Sequence, residues 1–350
     1  MKTTYLLLCL LGIGSVSGAG QTKQPQKIGD FIESTSYNEH RRNATRSLQY
    51  TPDGDDFVCI NGKNRFTRAL YGSHTAFRLE TSDRPVFAAY TKENPKHICF
   101  KLQTSGGTVA LDSTEHCESR YTAGRRSYSL SDPAFGGGSL SITTWALPDK
   151  EGAIWQFNAR NFKEFHPVLL ASISEIRNSK LNRNGDMGAD PADSFEAPLQ
   201  PQQLQSFPVQ IDGTLYILLE NQELRTLTTA EGENLFKKAE AARSETASRI
   251  RIETPDPYFN TLGGTLAMAA DGIWDGEVWL HGAIGWRMPL SGWRAAYTGD
   301  VLGWHDRART HFNAYAASQV TEVPNTLPHP AQDSALHLAR SVKKWGTPQY

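Results

Sequence analysis

From Asp56 to about Glu220 the hydrophobic positions come in short runs separated by Gly, Pro, Asn and Asp. These runs are rich in β-branched and aromatic residues, for example DFVCI, AFRLE, PVFAAYT, HICFKL, SLSITTWAL, AIWQF, VLLASIS and TLYILLE. Many short strands at close spacing predict an antiparallel β-sandwich, to which we assign residues 28–228. No repeat of fixed period occurs, which argues against a propeller or a solenoid.

The pattern changes at Thr229. The segment TAEGENLFKKAEAARSETASRI is rich in Ala, Glu and Lys, with charged residues three and four positions apart. This spacing is typical of an exposed helix, so residues 229–253 are predicted to form a linker helix. Pro255 and Pro257 separate this helix from the next one, which Thr254 or Asp256 can cap.

Residues 254–350 have helical periodicity. One helix is predicted over PYFNTLGGTLAMAADGIW and a second, continuous one from Tyr297 to Val320, with a Gly- and Trp-rich connection between them. Two helices and a fragment are too small to close a core of their own. We therefore expect a β domain followed by the beginning of a larger helical domain.

The helix predicted from Tyr297 carries two stripes when drawn at 100° per residue. The first stripe is polar and aromatic and contains Asp300, Trp304, Arg307 and His311. The second stripe is mostly apolar and contains Val301, His305, Ala308, Phe312 and Tyr315. The second stripe is predicted to face a core, and the first to line a wet cavity.

The connection before that helix places tryptophans beside arginines, histidines and acids. Indole faces match the apolar faces of pyranose rings, and charged side chains hydrogen-bond sugar hydroxyls. We predict that the sugar contacts come from His281, Trp286, Arg287, Trp293, Arg294, Trp304 and His305. The alternative is structural, with the tryptophans as core anchors and the arginines bound to carbonyls or acids such as Asp271 and Asp275.

The amino terminus, MKTTYLLLCLLGIGSVSGAG, has a Lys2 n-region, a short apolar run and small residues before a polar segment. This predicts a signal peptide over residues 1–19, cleaved after Ala19, and export to the periplasm or the extracellular space. The apolar run is too short for a transmembrane helix. Cys9 lies inside that run and follows Leu8, which argues against a lipoprotein anchor.

The remaining cysteines are Cys59, Cys99 and Cys117. An odd number leaves at least one free thiol, and the pairing of the others stays open. Their spacing fits no zinc site. The simplest interpretation is that these cysteines serve as small apolar residues in strands. No metal site is predicted, because H-E-x-x-H is absent and His305, Asp306 and His311 lack ligand spacing.

Other binding classes receive little support. The formal net charge is −1, from 36 basic and 37 acidic residues, so no whole-protein field would recruit nucleic acid. A long loop contains oxygen-bearing residues that resemble part of a calcium site: Asn182, Asn184, Asp186 and Asp190. Their spacing departs from the standard twelve-residue pattern, and a solvated acidic loop is the alternative.

Three segments resemble a family of large exported bacterial proteins. They are NRFTRALYGSHTAFRLETSDRPVFAAY, NRNGDMGADPADSFEAP and HGAIGWRMPLSGWRAAYTGDVLGWHDRARTHF. That family has an N-terminal β-sandwich domain of unknown function and a helical part similar to six-hairpin glycosidases. The resemblance implies a β-sandwich followed by an (α/α)6 barrel. It also implies that this chain stops inside the barrel, in which case the chain contains only the first hairpin or hairpins of an incomplete barrel and is inactive by itself.

Hydrolysis of a glycosidic bond needs two carboxyl groups. Asp300 is the first candidate because it lies in the resembling motif, and Glu277 is the second. The expected function is therefore glycoside hydrolysis on oligo- or polysaccharide, without a cofactor. Two alternatives remain: a noncatalytic carbohydrate-binding or surface-assembly protein, and a structural or peptide-binding sandwich without affinity for sugars.

Overall fold

The computed structural model describes residues 49–63, 68–72, 74–90, 96–162, 166–176, 204–280 and 296–317. Two antiparallel sheets dominate this part of the chain. In spatial order, the first sheet contains β1 (Thr51–Asp53), β2 (Asp56–Ile60), β8 (His116–Thr122), β9 (Arg125–Ser131), β10 (Ser139–Ala146), β11 (Gly152–Arg160), β14 (Thr214–Glu220) and β15 (Glu223–Leu227). The second contains β13 (Gln205–Pro208), β12 (Val168–Glu175), β6 (Lys96–Thr104), β5 (Val86–Tyr90), β4 (His74–Thr81) and β3 (Arg68–Gly72), and β7 (Gly107–Ala110) pairs with β6.

The two sheets pack face to face around one hydrophobic core. At its centre, the Phe87 ring of the second sheet makes edge contacts with Tyr128 and Trp155 of the first sheet, at centroid distances of 5.9 and 5.4 Å. Edge-to-face geometry is the favoured arrangement for such rings. The prediction of an antiparallel β-sandwich is confirmed.

Two central strands of the first sheet, β8 and β9, are not among the hydrophobic runs of the sequence. Their inward positions include Ser119 and Arg126, both fully buried. The Nη2 group of Arg126 donates to Tyr50 Oη at 2.9 Å and to the Ser82 carbonyl at 2.7 Å. Because a buried charge requires such partners, the polar interior of these strands depends on contacts that local sequence does not reveal.

Helix α1 (Thr229–Ala247) covers the outer face of the first sheet. Its capping box is complete, since Thr228 and Glu231 bond each other's backbone N–H groups. Phe236 and Ala239 pack on Trp145 and other apolar residues of the sheet. The predicted linker helix over 229–253 is therefore present, but it ends at Ala247 and one of its faces is buried.

Helix α2 (Pro257–Gly272) follows with Pro at its first position and the Asp256 side chain accepting from the Tyr258 N–H. Small residues bring α2 close to the sandwich: a Cβ at Gly272 would lie 2.1 Å from the Tyr71 ring. A Cβ at Gly264 would lie 3.0 Å from Ala123. Gly264 and Gly272 therefore allow α2 to pack closely against the sandwich, because neither position has room for a side chain.

The continuous helix predicted from Tyr297 to Val320 is wrong. A helical segment at 296–301 ends in a turn, and helix α3 (His305–Ala317) begins after it. Gly303, with φ of +80°, forms the break, and the Arg249 guanidinium donates to the Leu302 carbonyl at 2.8 Å. A residue in the left-handed region ends a helix, and only glycine adopts it without a steric cost.

Candidate functional site

The site predicted from the sequence begins at a tight turn after α2. Trp274 and Trp279 face each other across an antiparallel bridge. Between them Asp275 Oδ1 accepts the backbone N–H groups of Glu277 and Val278 at 2.9 and 2.7 Å. This bonding fixes the turn and leaves Glu277, the second candidate carboxylate, at the exposed tip.

Three tryptophans of this region form a small hydrophobic core instead of an open platform. Trp279 lies 4.6 Å from Trp274 and 6.4 Å from Trp304 between ring centroids. The Trp279 indole N–H donates to the Ala270 carbonyl at 2.9 Å, which ties the cluster to α2. Trp304, predicted to contact sugar, is only 8% exposed, so its ring serves packing here.

Two arginines border this tryptophan core. The Arg307 guanidinium lies 4.7 Å from the Trp304 ring centroid and forms an ion pair of 2.6 Å with Asp271. The Arg249 guanidinium lies 5.0 Å from the same ring. Both arginines therefore make cation–π contacts that stabilise the connection between α2 and α3.

His311 is fully buried beneath the same cluster. Its Nδ1 atom accepts the backbone N–H of Trp279 at 3.0 Å. The prediction that one polar stripe lines a wet cavity is therefore wrong for Asp300, Trp304, Arg307 and His311. Trp304 and His311 are buried, and Asp300 is exposed, because the break at Gly303 turns the two helical segments relative to each other.

The second predicted stripe is also divided. Ala308 is buried, whereas Val301, His305 and Phe312 are exposed. Only the backbone of Tyr315 lies within the described part of the chain. Of the apolar members that were expected to face a core, Ala308 does so, whereas Val301 and Phe312 lie at the surface of the described structure.

These exposed residues form a patch that we call the Asp300 surface: Tyr297, Asp300, Val301, His305 and Phe312. The Tyr297 and Phe312 rings lie 6.1 Å apart between centroids. His305 Nδ1 lies 2.5 Å from Asp300 Oδ1, with side chains 69% and 59% exposed. The patch combines two accessible rings with a hydrogen-bonded carboxylate and imidazole.

Several candidate residues lie outside the described part of the chain. They are the predicted sugar contacts His281, Trp286, Arg287, Trp293 and Arg294 and the calcium-like Asn182, Asn184, Asp186 and Asp190. Within the described residues, no group of three or more His, Cys, Asp and Glu side chains could hold a metal ion. No helix in the same ranges is long and apolar enough to cross a membrane.

The three cysteines of the sandwich are free thiols. Burial raises the pKa of the Cys117 thiol to about 12, and it also raises the pKa of Cys59. Cys99 is half-buried, with Sγ 2.9 Å from Ser172 Oγ, and burial raises its pKa too. These groups are poor nucleophiles, because the reactive form of cysteine is the thiolate.

A second polar group, which sequence reasoning missed, lies between α1 and β10. The Trp145 indole N–H donates to Glu240 Oε2 at 2.9 Å, and Arg243 binds the same carboxylate at 2.9 and 2.5 Å. Burial opposes ionisation of Glu240, but Arg243, Arg125 and Trp145 outweigh it and lower the pKa. The spacing of charged residues along α1 is visible in the sequence. The contact of Glu240 with Trp145 is not, because the two residues are 95 positions apart.

Comparison with known proteins gives one family match. Residues 95–250, from one residue before β6 to three residues past α1, match a family described as a domain of unknown function (DUF4450). No curated protein matches the chain. The matched segment contains most of the sandwich and all of α1 and ends before the tryptophan core, so the Asp300 surface lies outside it.

Proposed function

We propose that this protein is an exported carbohydrate-active protein of the glycoside hydrolase type, acting on oligo- or polysaccharide. The observation that carries the proposal is the Asp300 surface, where the exposed Asp300–His305 and Tyr297–Phe312 pairs both join the 296–301 segment to α3. Flat rings contact the apolar faces of sugars, and a carboxylate accepts hydrogen bonds from their hydroxyls.

In a hydrolytic reaction, one protonated carboxyl group gives its proton to the leaving glycosidic oxygen. The other, ionised, removes a proton from the attacking water or attacks the sugar carbon itself. We assign one of these roles to Asp300, which His305 orients through its hydrogen bond. Glu277 is the second candidate carboxylate, at the exposed turn between Trp274 and Trp279.

The remaining sugar contacts in this proposal come from the connection that precedes the 296–301 segment. They are His281, Trp286, Arg287, Trp293 and Arg294. The buried core of Trp274, Trp279 and Trp304 supports this proposal indirectly, because it anchors both ends of the connection on packed elements.

One observation favours the noncatalytic alternative. Asp300 and Glu277 are both exposed, whereas a catalytic carboxyl group generally works in a site shielded from water. A carbohydrate-binding or surface-assembly protein needs the rings and the hydrogen-bonding pair but no acid and base. It would bind sugars at the Asp300 surface without cleaving them.

Asp300→Asn in the full-length protein separates these functions. Asp306→Asn is the matched control, because Asp306 is a 95% exposed carboxylate in the same region. Hydrolysis is followed by release of reducing ends from an oligosaccharide panel, and binding by calorimetry. For a hydrolase, Asp300→Asn should reduce turnover by at least about 100-fold with binding largely retained, and Asp306→Asn should leave both unchanged.

The other outcomes are equally informative. Binding without turnover in the wild type, weakened by Asp300→Asn and not by Asp306→Asn, identifies a noncatalytic sugar-binding protein. Turnover that Asp300→Asn leaves unchanged removes Asp300 from the mechanism. If the wild type neither binds nor cleaves any member of the panel, the carbohydrate proposal is wrong.

A further inference from the structure

A cleft of about 460 Å³ lies between α1 and the outer face of the first sheet. Its wall and rim are formed by Arg125, Trp145, Phe236, Lys237, Glu240 and Ser244. Small-molecule sites commonly have volumes of this order and combine aromatic walls with a few polar groups. All of these residues lie within 95–250, the segment that matches the domain family.

The aromatic part of the cleft is rigid. The Trp145 and Phe236 rings meet edge to face with centroids 3.7 Å apart. The Trp145 N–H is fixed by Glu240, and the ring is buried between the sheet and α1. Trp145 is only 3% exposed, so the half-buried Phe236 ring, supported by Trp145, is the main apolar surface against which a flat or ring-shaped ligand can pack.

The charged groups of the cleft are not balanced. Arg243 holds the Glu240 carboxylate through two hydrogen bonds, while Arg125 approaches Glu240 only at 3.5 Å. Lys237 has no ion-pair partner among the residues that the structure describes and extends from the exposed side of α1. The Nη2 group of Arg125 also donates to Thr122 Oγ1 at 3.0 Å, so Lys237 is the main cation available to a ligand and Arg125 adds a second positive charge beside it.

We propose that this cleft binds a small ring compound that carries a carboxylate. The carboxylate lies between Lys237 and Arg125, the ring packs on Phe236 and Trp145, and Ser244 offers a hydroxyl to the ligand's polar edge. Guanidinium and ammonium groups form the stronger, charge-assisted hydrogen bonds with carboxylates. This site is separate from the Asp300 surface, and the inference does not depend on the proposed function.

Two kinds of ligand share this chemistry, a sugar acid and an aromatic acid. Titration of the full-length protein with methyl glucuronide, paired with methyl glucoside, tests the first kind. Benzoate, paired with benzyl alcohol, tests the second. We expect saturable binding of at least one of the two acids with a Kd of about 1 mM, an affinity ordinary for ligands of this size, and at least tenfold weaker binding of its neutral counterpart.

The matched variants are Lys237→Gln and Lys238→Gln. Lys238 is the next residue on α1 but pairs with Asp149 at 2.5 Å and does not line the cleft. We expect Lys237→Gln to weaken binding of the acid about tenfold and Lys238→Gln to leave it unchanged. Both lysines are exposed, so unchanged unfolding temperatures confirm that neither variant affects the fold.

Three results would overturn the proposal. These are absence of saturable binding for both acids, equal affinity for acid and neutral counterpart, and equal losses in the two lysine variants. The last result would indicate attraction by surface charge in general. Binding of glucuronide alone, of benzoate alone or of both supports the proposal. The result also shows whether the cleft accepts a sugar acid, an aromatic acid or both. The two lysine variants assign glucuronide binding to this cleft, and Asp300→Asn tests sugar binding at the Asp300 surface separately.

Discussion

His311 of α3 accepts the backbone N–H of Trp279 at its Nδ1 atom, across 3.0 Å and 32 residues of chain. This bond joins the turn after α2 to the helix that follows the tryptophan-rich connection. Because the acceptor nitrogen carries no proton, the hydrogen of the neutral ring resides on Nε2. The arrangement of the tryptophan core therefore depends on a histidine that the sequence pattern assigned to a cavity.

Replacing His311 should destabilise this core. His311→Ala removes a fully buried ring and leaves the Trp279 N–H without its acceptor, so we expect the free energy of unfolding to fall by roughly 2–4 kcal/mol. His311→Phe keeps an aromatic ring, although a larger one, and removes the acceptor, so we expect a loss of about 1–3 kcal/mol. His305→Ala, at an exposed position, is the control. Urea unfolding followed by tryptophan fluorescence measures all three, and a His311→Phe variant as stable as the wild type would refute the role of the bond.

Gly299 should tolerate no side chain. A Cβ at this position would lie 1.9 Å from the Trp279 ring, inside the tryptophan core. We expect Gly299→Ala to lower the stability by about 1–3 kcal/mol, because the ring has no room to move away. Thr298→Ala, at the neighbouring exposed position, should cost less than about 0.5 kcal/mol. Equal thermal unfolding of the two variants would contradict this packing.

The stability of the sandwich should depend on the protonation of His97. His97 is buried on β6, and neither ring nitrogen has a hydrogen-bond partner in the described part of the chain. Burial lowers its pKa below the ordinary 6.5, although Asp112 opposes the shift. The folded state therefore favours the neutral ring. This stabilisation is fully present above pH 6.5 and is lost as the pH falls through the lower folded value.

Replacement of His97 by leucine tests this dependence. The apolar side chain has no proton to bind, so the fall in unfolding free energy just below pH 6.5 should become smaller than in the wild type. His116→Leu is a control at an exposed position of β8. Urea unfolding between pH 4.5 and pH 8 gives the two profiles. Parallel pH profiles for the wild type and His97→Leu would exclude His97 as the source.

The buried thiols should resist modification in the folded protein. With a pKa of about 12 and no exposure to solvent, Cys117 should react with iodoacetamide at pH 8 at least about 100-fold more slowly than in urea. Cys59, also buried, should behave in the same way. Mass spectrometry of peptides distinguishes the sites and includes Cys99. Rapid labelling of Cys117 in the native protein would show that this end of the sandwich opens readily.

Labelling in urea without a reductant tests the free-thiol state. We expect Cys59, Cys99 and Cys117 all to be modified, because the structure contains each as a free thiol. Resistance of any pair to labelling until a reductant is added would reveal a disulfide and contradict the structure. The test also resolves the pairing that the odd number of cysteines left open.

The hydrophobic pattern predicted much of the sandwich because most inward strand positions are apolar. Runs such as VFAAY and AIWQF occur where the two sheets face each other. The same reasoning overlooked β8 and β9, where the inward Arg126 donates through Nη2 to Ser119 and to Tyr50, which is 76 residues away. Strands whose inward-facing side chains are polar cannot be recognised from local hydrophobic periodicity.

The helical region shows a similar division. Local signals located α1 and α2, because charge spacing, a proline and an aspartate cap all depend on residues a few positions apart. The break at Gly303 was not predicted, since a single glycine costs a helix only about 1 kcal/mol and the residues around it continue the helical pattern. The Arg249 contact to the Leu302 carbonyl, 53 residues away in sequence, stabilises the break.

The sequence by itself determined the strands whose inward positions are apolar, the helices α1 and α2, the position of the composition change at Thr229, and the residue types close to the tryptophans in the chain. Those properties depend on neighbours within about one helical turn or one strand. Only the tertiary structure decided that Trp304 and His311 are buried, that Asp300 pairs with His305 at the surface, and that Trp145 meets Glu240. Burial and pairing depend on residues distant in sequence, whose relative positions are fixed by packing of the whole chain.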